Sequence, residues 1–320
     1  MSTISTNQSQ PRVGQNENAK GFAIYTEKLS KSYGTARGIS EVDLQVREGE
    51  IFGFLGPNGA GKTTTIRLLL NLIFPTGGRA TVNGLDSQRD SVEIKKQIGY
   101  LPGEFSLYPG LTGAQTLQYF SSLRGGVDWN YVLELAGRLE LDMSKKFRQY
   151  SRGNKQKVGI IQALMHRPRL LILDEPTSGL DPLNQQEFYK LLQEARQKGS
   201  TVFFSSHIMS EVEKTCDRVA IIREGRLVRV GGLDELMGIK TQQLELTFAG
   251  TAPFAEIAAL AGVSHLEKFM EGSHEALSCV AQSEALDSLL KVVTNHHLIN
   301  IATREPSLEE IFLQYYSNGN

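Results

Sequence analysis

The chain has 320 residues, 40% hydrophobic and 22% charged, with 34 Lys and Arg against 35 Asp and Glu, an ordinary globular composition with room for a large domain and a smaller one. Near neutrality excludes a bulk electrostatic demand for nucleic acid or an acidic membrane surface, so no nucleic-acid partner is expected. Cys216 and Cys279 stand in neither metal nor redox spacing, which predicts buried thiols in a reducing compartment, and no run approaches the ~18 apolar residues of a spanning helix, so a soluble, cytoplasmic chain is expected.

Residues 1–20 hold almost no large apolar side chains and cannot offset their ordering entropy, which predicts a disordered tail. Order is expected from Phe22-Ala23-Ile24-Tyr25. The alternation of Val42, Leu44 and Val46, followed by the turn Glu48-Gly49-Glu50, predicts antiparallel strands. Between them Tyr33 stands beside the turn residue Gly34; taken alone it reads as a packing tyrosine.

Ile51-Phe52-Gly53-Phe54-Leu55 then predicts a short buried strand, and Thr65 to Leu70 has helical apolar spacing. Between the two lies Gly56-Pro57-Asn58-Gly59-Ala60-Gly61-Lys62-Thr63-Thr64, which reads G-x-x-x-x-G-K-T, the phosphate-binding loop in the strand-to-helix context that the motif needs. Its glycines let the backbone aim N–H groups at phosphate oxygens, and the helix N-terminus adds favourable potential. Lys62 is the candidate for the β- and γ-phosphates, and the Thr63 hydroxyl is a candidate Mg²⁺ ligand.

Downstream, Gly77 to Gly84 predicts a turn, a strand and a turn, and Gln97 to Leu101 a strand stopped by Pro102. From Thr112 to about Phe147 the spacing is helical, broken at Gly125-Gly126, as in a helical subdomain of about residues 104–165. Tyr150-Ser151-Arg152-Gly153-Asn154 opens another helix, where a serine and a glycine also suit an ordinary cap. Leu170 to Leu173 is an apolar run ending in Asp174 and Glu175. It predicts a buried strand whose acids emerge at the carboxyl edge of a sheet, where such sheets bind ligands. Asp174 suits Mg²⁺, directly or through water, and Glu175 suits polarising a water that attacks a γ-phosphate. Ser178 to Pro182 reads as a turn, and Thr201 to Ser206 as another buried strand. His207 at its end is placed for a γ-phosphate contact.

In this order these elements resemble the ATP-binding subunit of an ABC transporter, over about Ile24 to Leu236. The resemblance implies an α/β cassette of the phosphate-loop NTPase type, with an antiparallel β subdomain and a helical subdomain, spanning 21–240. It implies ATP and Mg²⁺ as ligands, Tyr33 stacked on adenine, and His207 sensing the γ-phosphate. Ser151 and Gly153 would cap the nucleotide held by a second copy or a homologous cassette, and Asp181 would lie at that dimer seam. ATP would hold the two cassettes together until hydrolysis. An integral membrane permease, docked near Gly103 to Leu111, would hold the chain at the cytoplasmic face of the inner membrane.

Two positions depart from the family. Arg152 replaces the first glycine of the usual Leu-Ser-Gly-Gly-Gln, and is accommodated if its side chain points away or itself meets the nucleotide. After Leu101-Pro102, where the family places a metal-contacting glutamine, stand Gly103 and Glu104. Either Glu104 supplies a charged oxygen ligand or the metal relies on Thr63 and Asp174 with water.

The remaining residues, 241–320, change grammar. Alternation at Leu244, Leu246 and Phe248, helical spacing from Phe254 and from Leu286, strands near 264–270 and 275–281 and a last strand at Leu298 to Ile301 give the order β-α-β-β-α-β. That order predicts a small α+β, ferredoxin-like accessory domain. Hairpin Ile221 to Val228 and a short helix near Leu233 to Met237 precede it, and Ser307-x-x-Glu310 opens a final helix. The resemblance here is to subunits of bacterial multidrug, antibiotic or lipid exporters. A soluble ABC ATPase that remodels ribosomes or nucleic acid is the competing reading; it normally carries two cassettes or long coiled coils, and this chain has neither repeat nor heptads. A weak cassette paired with a better one is a third reading.

Overall fold

The structure, a computed structural model, describes residues 19–104, 108–233, 235 and 241–304. The tail of residues 1–18, the short helix after Leu233 and the capping-box helix at Ser307 lie outside the described residues. The chain divides into two compact units, Met1–Val230 and Gly231–Asn320.

The first unit is built on a six-stranded sheet of order β11-β10-β4-β9-β8-β7, with β4 at Ile51–Leu55, β7 at Ile98–Leu101, β8 at Leu170–Asp174, β9 at Thr201–Ser206, β10 at Arg218–Arg223 and β11 at Arg226–Gly232. Pairing from β10 through β4, β9 and β8 to β7 is parallel. Every residue of β4, β8 and β9 is buried, as expected of parallel strands covered on both faces, and this is why they read as continuous apolar runs.

A second, antiparallel sheet contains β1 (Phe22–Tyr33), β2 (Ala36–Val42), β5 (Gly77–Val82) and β6 (Leu85–Asp86), with β3 (Gln45–Arg47) pairing β1. The first strand runs unbroken to Tyr33. Helix α1 (Lys62–Leu69) shares one core with both sheets: Ile66, Leu68 and Leu69 pack with Ile24 and Val46 of one and Phe52, Phe54 and Phe203 of the other. Phe52 and Phe203 stack at 6.0 Å, and burying each such ring is worth about 2 kcal/mol.

Helices α2 (Ser91–Gln97), α3 (Gly113–Leu123), α4 (Trp129–Arg138) and α5 (Arg152–Leu164) follow, then α6 (Pro182–Gln197) and α7 (Met209–Thr215). Helix α2 is not among the elements that the apolar spacing predicts. A capping box of Thr112 and Gln115 opens α3, and Asp128 caps α4. Helix does not persist to Phe147 as its spacing predicts. Glu140 takes φ +51°, Asp142 accepts from the Ser144 amide, and Lys146 pairs back with Thr112, so local turns replace the last helical segment.

In the second unit β12 (Thr241–Phe248), α8 (Phe254–Ala258), β13 (Val263–Glu271), β14 (His274–Gln282), α9 (Leu286–Thr294) and β15 (Leu298–Arg304) follow in chain order. Its sheet has the order β13-β14-β12-β15 with antiparallel neighbours, the split β-α-β arrangement of a ferredoxin-like sandwich. Leu244, Leu246, Phe248, Leu277 and Cys279 form its core with Ile257, Leu289 and Val293 of the helices. Burial raises the Cys279 thiol to about 11, and both cysteines are free. Among the described residues no helix is long and apolar enough to cross a membrane.

Candidate active site

The site forms where β4, β8 and β9 end together. Helix α1 starts at Lys62, so the amides of its first turn have no intrahelical acceptor and face outward from the loop. Gly61 takes φ +112°, and a β-carbon there would stand 2.6 Å from Ile39 Cγ2; only glycine gives the loop this curvature. The residues present thus fit an anionic ligand at this helix N-terminus. Lys62 is almost fully buried and donates to the carbonyls of Gly56 at 2.6 Å and Pro57 at 3.2 Å.

Thr63 Oγ1 donates to Asp174 Oδ2 at 2.8 Å, and Ser205 Oγ donates to Asp174 Oδ1 at 2.5 Å. Asp174 is only 1% exposed, and among the described residues its contacts are hydroxyls with no cationic side chain in ion-pair range. A buried carboxylate beside a hydroxyl is a hard oxygen set that fits Mg²⁺.

Glu175 takes the left-handed conformation, φ +47°, unusual away from glycine. Its amide is held by Ser205 Oγ at 3.1 Å and Ser205 O at 3.2 Å. Its carboxylate lies 3.4 Å from Lys62 Nζ and 3.3 Å from His207 Nδ1. Ser206 Oγ donates to buried Glu211 and accepts from the Ile208 amide, fixing the turn that carries His207. Folding therefore brings Lys62, Thr63, Asp174, Glu175 and His207 together. Ser205 and Ser206 were missed from the sequence; their one signal was a pair of hydroxyls closing an otherwise apolar strand.

The remaining candidates lie around this centre. Ser151 caps α5, accepting from the Asn154 amide. A β-carbon on Gly153 would collide with the Gly179 carbonyl, so glycine lets α5 pack on the turn after β8. Arg152 points away along that turn, donating to Ser178 Oγ at 2.6 Å. Gln156 donates to the carbonyls of Glu175 and Pro176. Asp181 caps α6, and the Asn184 amide and side chain hold its carboxyl below the usual range. Tyr33 is 44% exposed with Lys31 Nζ 5.3 Å from its ring centroid. The loop residues Asn58 and Gly59 sit exposed between Gly56 and α1, and Thr64 is half-buried in the first turn of α1.

Glu104 is not gathered with Thr63 and Asp174. It lines a groove of about 1140 Å³ with Leu72, Val92, Lys95, Phe120 and Arg124, and it is backbone-adjacent Gly103 that lies against the Asp174 carboxylate, where a β-carbon would be 3.3 Å from Oδ2. Residues 105–107 of the expected docking stretch lie outside the described residues. His166, on the same groove, is lowered to about 4 by burial and by the nearby Arg124 guanidinium.

Residues 39–178 match the family model described as ABC transporter; a second, described as AAA domain, putative AbiEii toxin, Type IV TA system, matches 144–213. The chain is similar to the linearmycin resistance ATP-binding protein LnrL of Bacillus subtilis, 33% identical over 91% of this chain and 97% of that one. It is also similar to the bacitracin transport ATP-binding protein BcrA of Bacillus licheniformis, 36% identical over 92% and 98%. Among solved structures, the post-hydrolysis dimer of the ATP-binding cassette MJ0796 bound to ADP and Pi is 25% identical with a TM-score of 0.60, covering 66% of this chain and 98% of that one.

Proposed function

Because the chain belongs to the family of ABC transporter ATP-binding proteins and is an ATPase of that family, we propose that it powers export of a drug, antibiotic or lipid-like substrate through a separate membrane permease. The observation that carries the catalytic part is the convergence of Lys62, Thr63, Asp174, Glu175 and His207 at one sheet edge. Export is supported by the two relatives just described, one a resistance and one a bacitracin transport protein.

In this reading the amides from Gly56 to Thr64 cradle the phosphates, and Lys62 exchanges its carbonyl acceptors for β- and γ-phosphate oxygens. Thr63 and Asp174 would hold Mg²⁺, which when bound would neutralise charge on those oxygens. Glu175 accepts a hydrogen bond from the attacking water and aims its oxygen at the γ-phosphorus, and His207 donates to the γ-phosphate. Tyr33 stacks on adenine. Glu104, on the groove, is left out of the metal set.

Two cassettes close face to face, Ser151 and Gly153 of one copy covering the nucleotide of the other, with Asp181 at the seam. Loss of the γ-phosphate removes the contacts that favour the closed dimer, and this converts chemistry into motion. The groove beside Glu104 receives a cytoplasmic helix of the permease, which keeps the chain at the inner face of the membrane.

The test is recovery of the chain from native membranes in detergent, with ATPase activity assayed on the recovered material and on the chain alone. A multi-span membrane protein that co-purifies and raises the activity supports the export reading. No membrane protein, with full activity from the chain alone or with ribosomal proteins attached, overturns it.

A further inference from the structure

We propose that Ser205 is the positioning residue that sets both acids of the hydrolytic site, orienting Asp174 through its side chain and Glu175 through its backbone; this rests on the ATPase reading above. Ser205 is fully buried near the end of β9, directly beside Asp174 in the parallel register between β9 and β8. A serine hydroxyl has one proton and two lone pairs. Here the proton goes to Asp174 Oδ1 at 2.5 Å, and a lone pair accepts the Glu175 amide at 3.1 Å.

Each contact has a separate consequence. Occupying Oδ1 from the sheet side leaves Oδ2 turned toward Thr63, whose hydroxyl lies 2.8 Å away. The carboxylate therefore presents one chosen oxygen to the metal side of the site instead of rotating between two. A cation held by Thr63 and Asp174 would take the place of the Thr63 proton at Oδ2, on the side of the carboxylate away from the Ser205 bond. The second contact fixes the left-handed backbone at Glu175, a conformation that a non-glycine residue holds only when its surroundings enforce it. Given that backbone, the Glu175 carboxylate falls between Lys62 and His207. One hydroxyl thus indexes the metal ligand and the water-polarising acid to each other.

The arrangement has particular weight in this chain because residue 103 has no side chain to contribute at Asp174. Among the described residues, the hydrogen bonds that orient the Asp174 carboxylate come from the two hydroxyls of Thr63 and Ser205.

The experiment compares wild type, Ser205→Ala and Ser205→Thr in the full-length chain. It measures binding of a fluorescent ATP analogue in EDTA, its tightening on titration with MgCl₂, steady-state ATPase activity and thermal unfolding. Ser205→Ala is expected to bind the analogue in EDTA as wild type does, to need about tenfold more Mg²⁺ for tightening, and to lose at least tenfold in kcat. Such factors correspond to a charge-assisted hydrogen bond. Ser205→Thr, which restores the hydroxyl, is expected to recover the Mg²⁺ dependence. If Ser205→Ala does not fold, Ser205→Cys, similar in volume with a weaker donor, is read on the same criteria. Mg²⁺ dependence and kcat within twofold of wild type overturn the proposal, as does a loss that tracks only a lowered melting temperature and is equal in Ser205→Thr. A wild-type chain without ATPase activity would instead overturn the reading on which the proposal rests.

Discussion

The ammonium of Lys62 stands 3.4 Å from Glu175 Oε1 while donating to the carbonyls of Gly56 and Pro57. These contacts hold the lysine along its loop, with its ammonium beside the helix N-terminus. Glu175 in turn meets two potential cations, Lys62 and His207, and is held ready as an acceptor.

Glu175→Gln keeps the side-chain volume and removes the charge to which the proposed reading assigns the polarising of water. Turnover is expected to fall at least 100-fold, on the scale of about 3 kcal/mol for a group acting on developing charge, with ATP binding retained. ATP should then trap a dimer, read by light scattering on a sizing column. ATPase rates equal to wild type would remove Glu175 from its assigned role.

Arg138 joins α4 to α6 through a bidentate pair with Glu194, both bonds 2.7 Å, and a 2.6 Å bond to Glu187. These acceptors raise the Arg138 pKa and hold both carboxyls below their usual range. The side chains are partly exposed, so solvent screening reduces the contribution to about 1–2 kcal/mol. Arg138→Ala should lower the unfolding free energy obtained from urea denaturation by that amount, seen as a lower midpoint at unchanged slope, and Arg138→Lys should not restore it because an ammonium cannot make the fork. An unchanged midpoint in Arg138→Ala would show the fork to be energetically silent.

His166 gives a pH dependence of defined sign. Burial lowers it to about 4 in the fold against about 6.5 in the unfolded chain. Its stabilising effect is complete above pH 6.5 and is lost as the pH falls toward 4, since the unfolded chain takes up the proton first. After allowance for partial solvent screening, wild type should lose about 1–2 kcal/mol between pH 7 and pH 5 relative to His166→Gln. Parallel stability profiles for the two proteins would contradict this.

Arg152→Ala discriminates between the two ways of accommodating an arginine in the signature segment. Since its guanidinium is hydrogen-bonded to Ser178 of its own chain, removal should leave ATP turnover within about threefold, the scale of one exposed hydrogen bond. A loss of a hundredfold, measured at saturating ATP, would mean that the guanidinium reaches nucleotide.

The phosphate loop, the acidic strand and the six-element order of the C-terminal unit were legible in the sequence because each is a contiguous pattern: glycines at fixed spacing, apolar runs closed by charge, alternation of period two against helical spacing. Motif order supplied the rest of the family likeness. By itself, then, the sequence determined which residue types carry the chemistry and which strands present them. Only the tertiary structure decided that Ser205 stands beside Asp174, 31 residues away, because β9 is inserted between β4 and β8 in the sheet. It also placed Glu104 on the groove and Gly103 against the carboxylate, a choice one residue fine at the end of a strand. It turned Arg152 onto Ser178, and packed Gly153 on Gly179. Each of these depends on which strands become neighbours and on the direction of a side chain at a strand or helix end, and those are fixed by packing between segments distant in the chain, for which local spacing carries no signal.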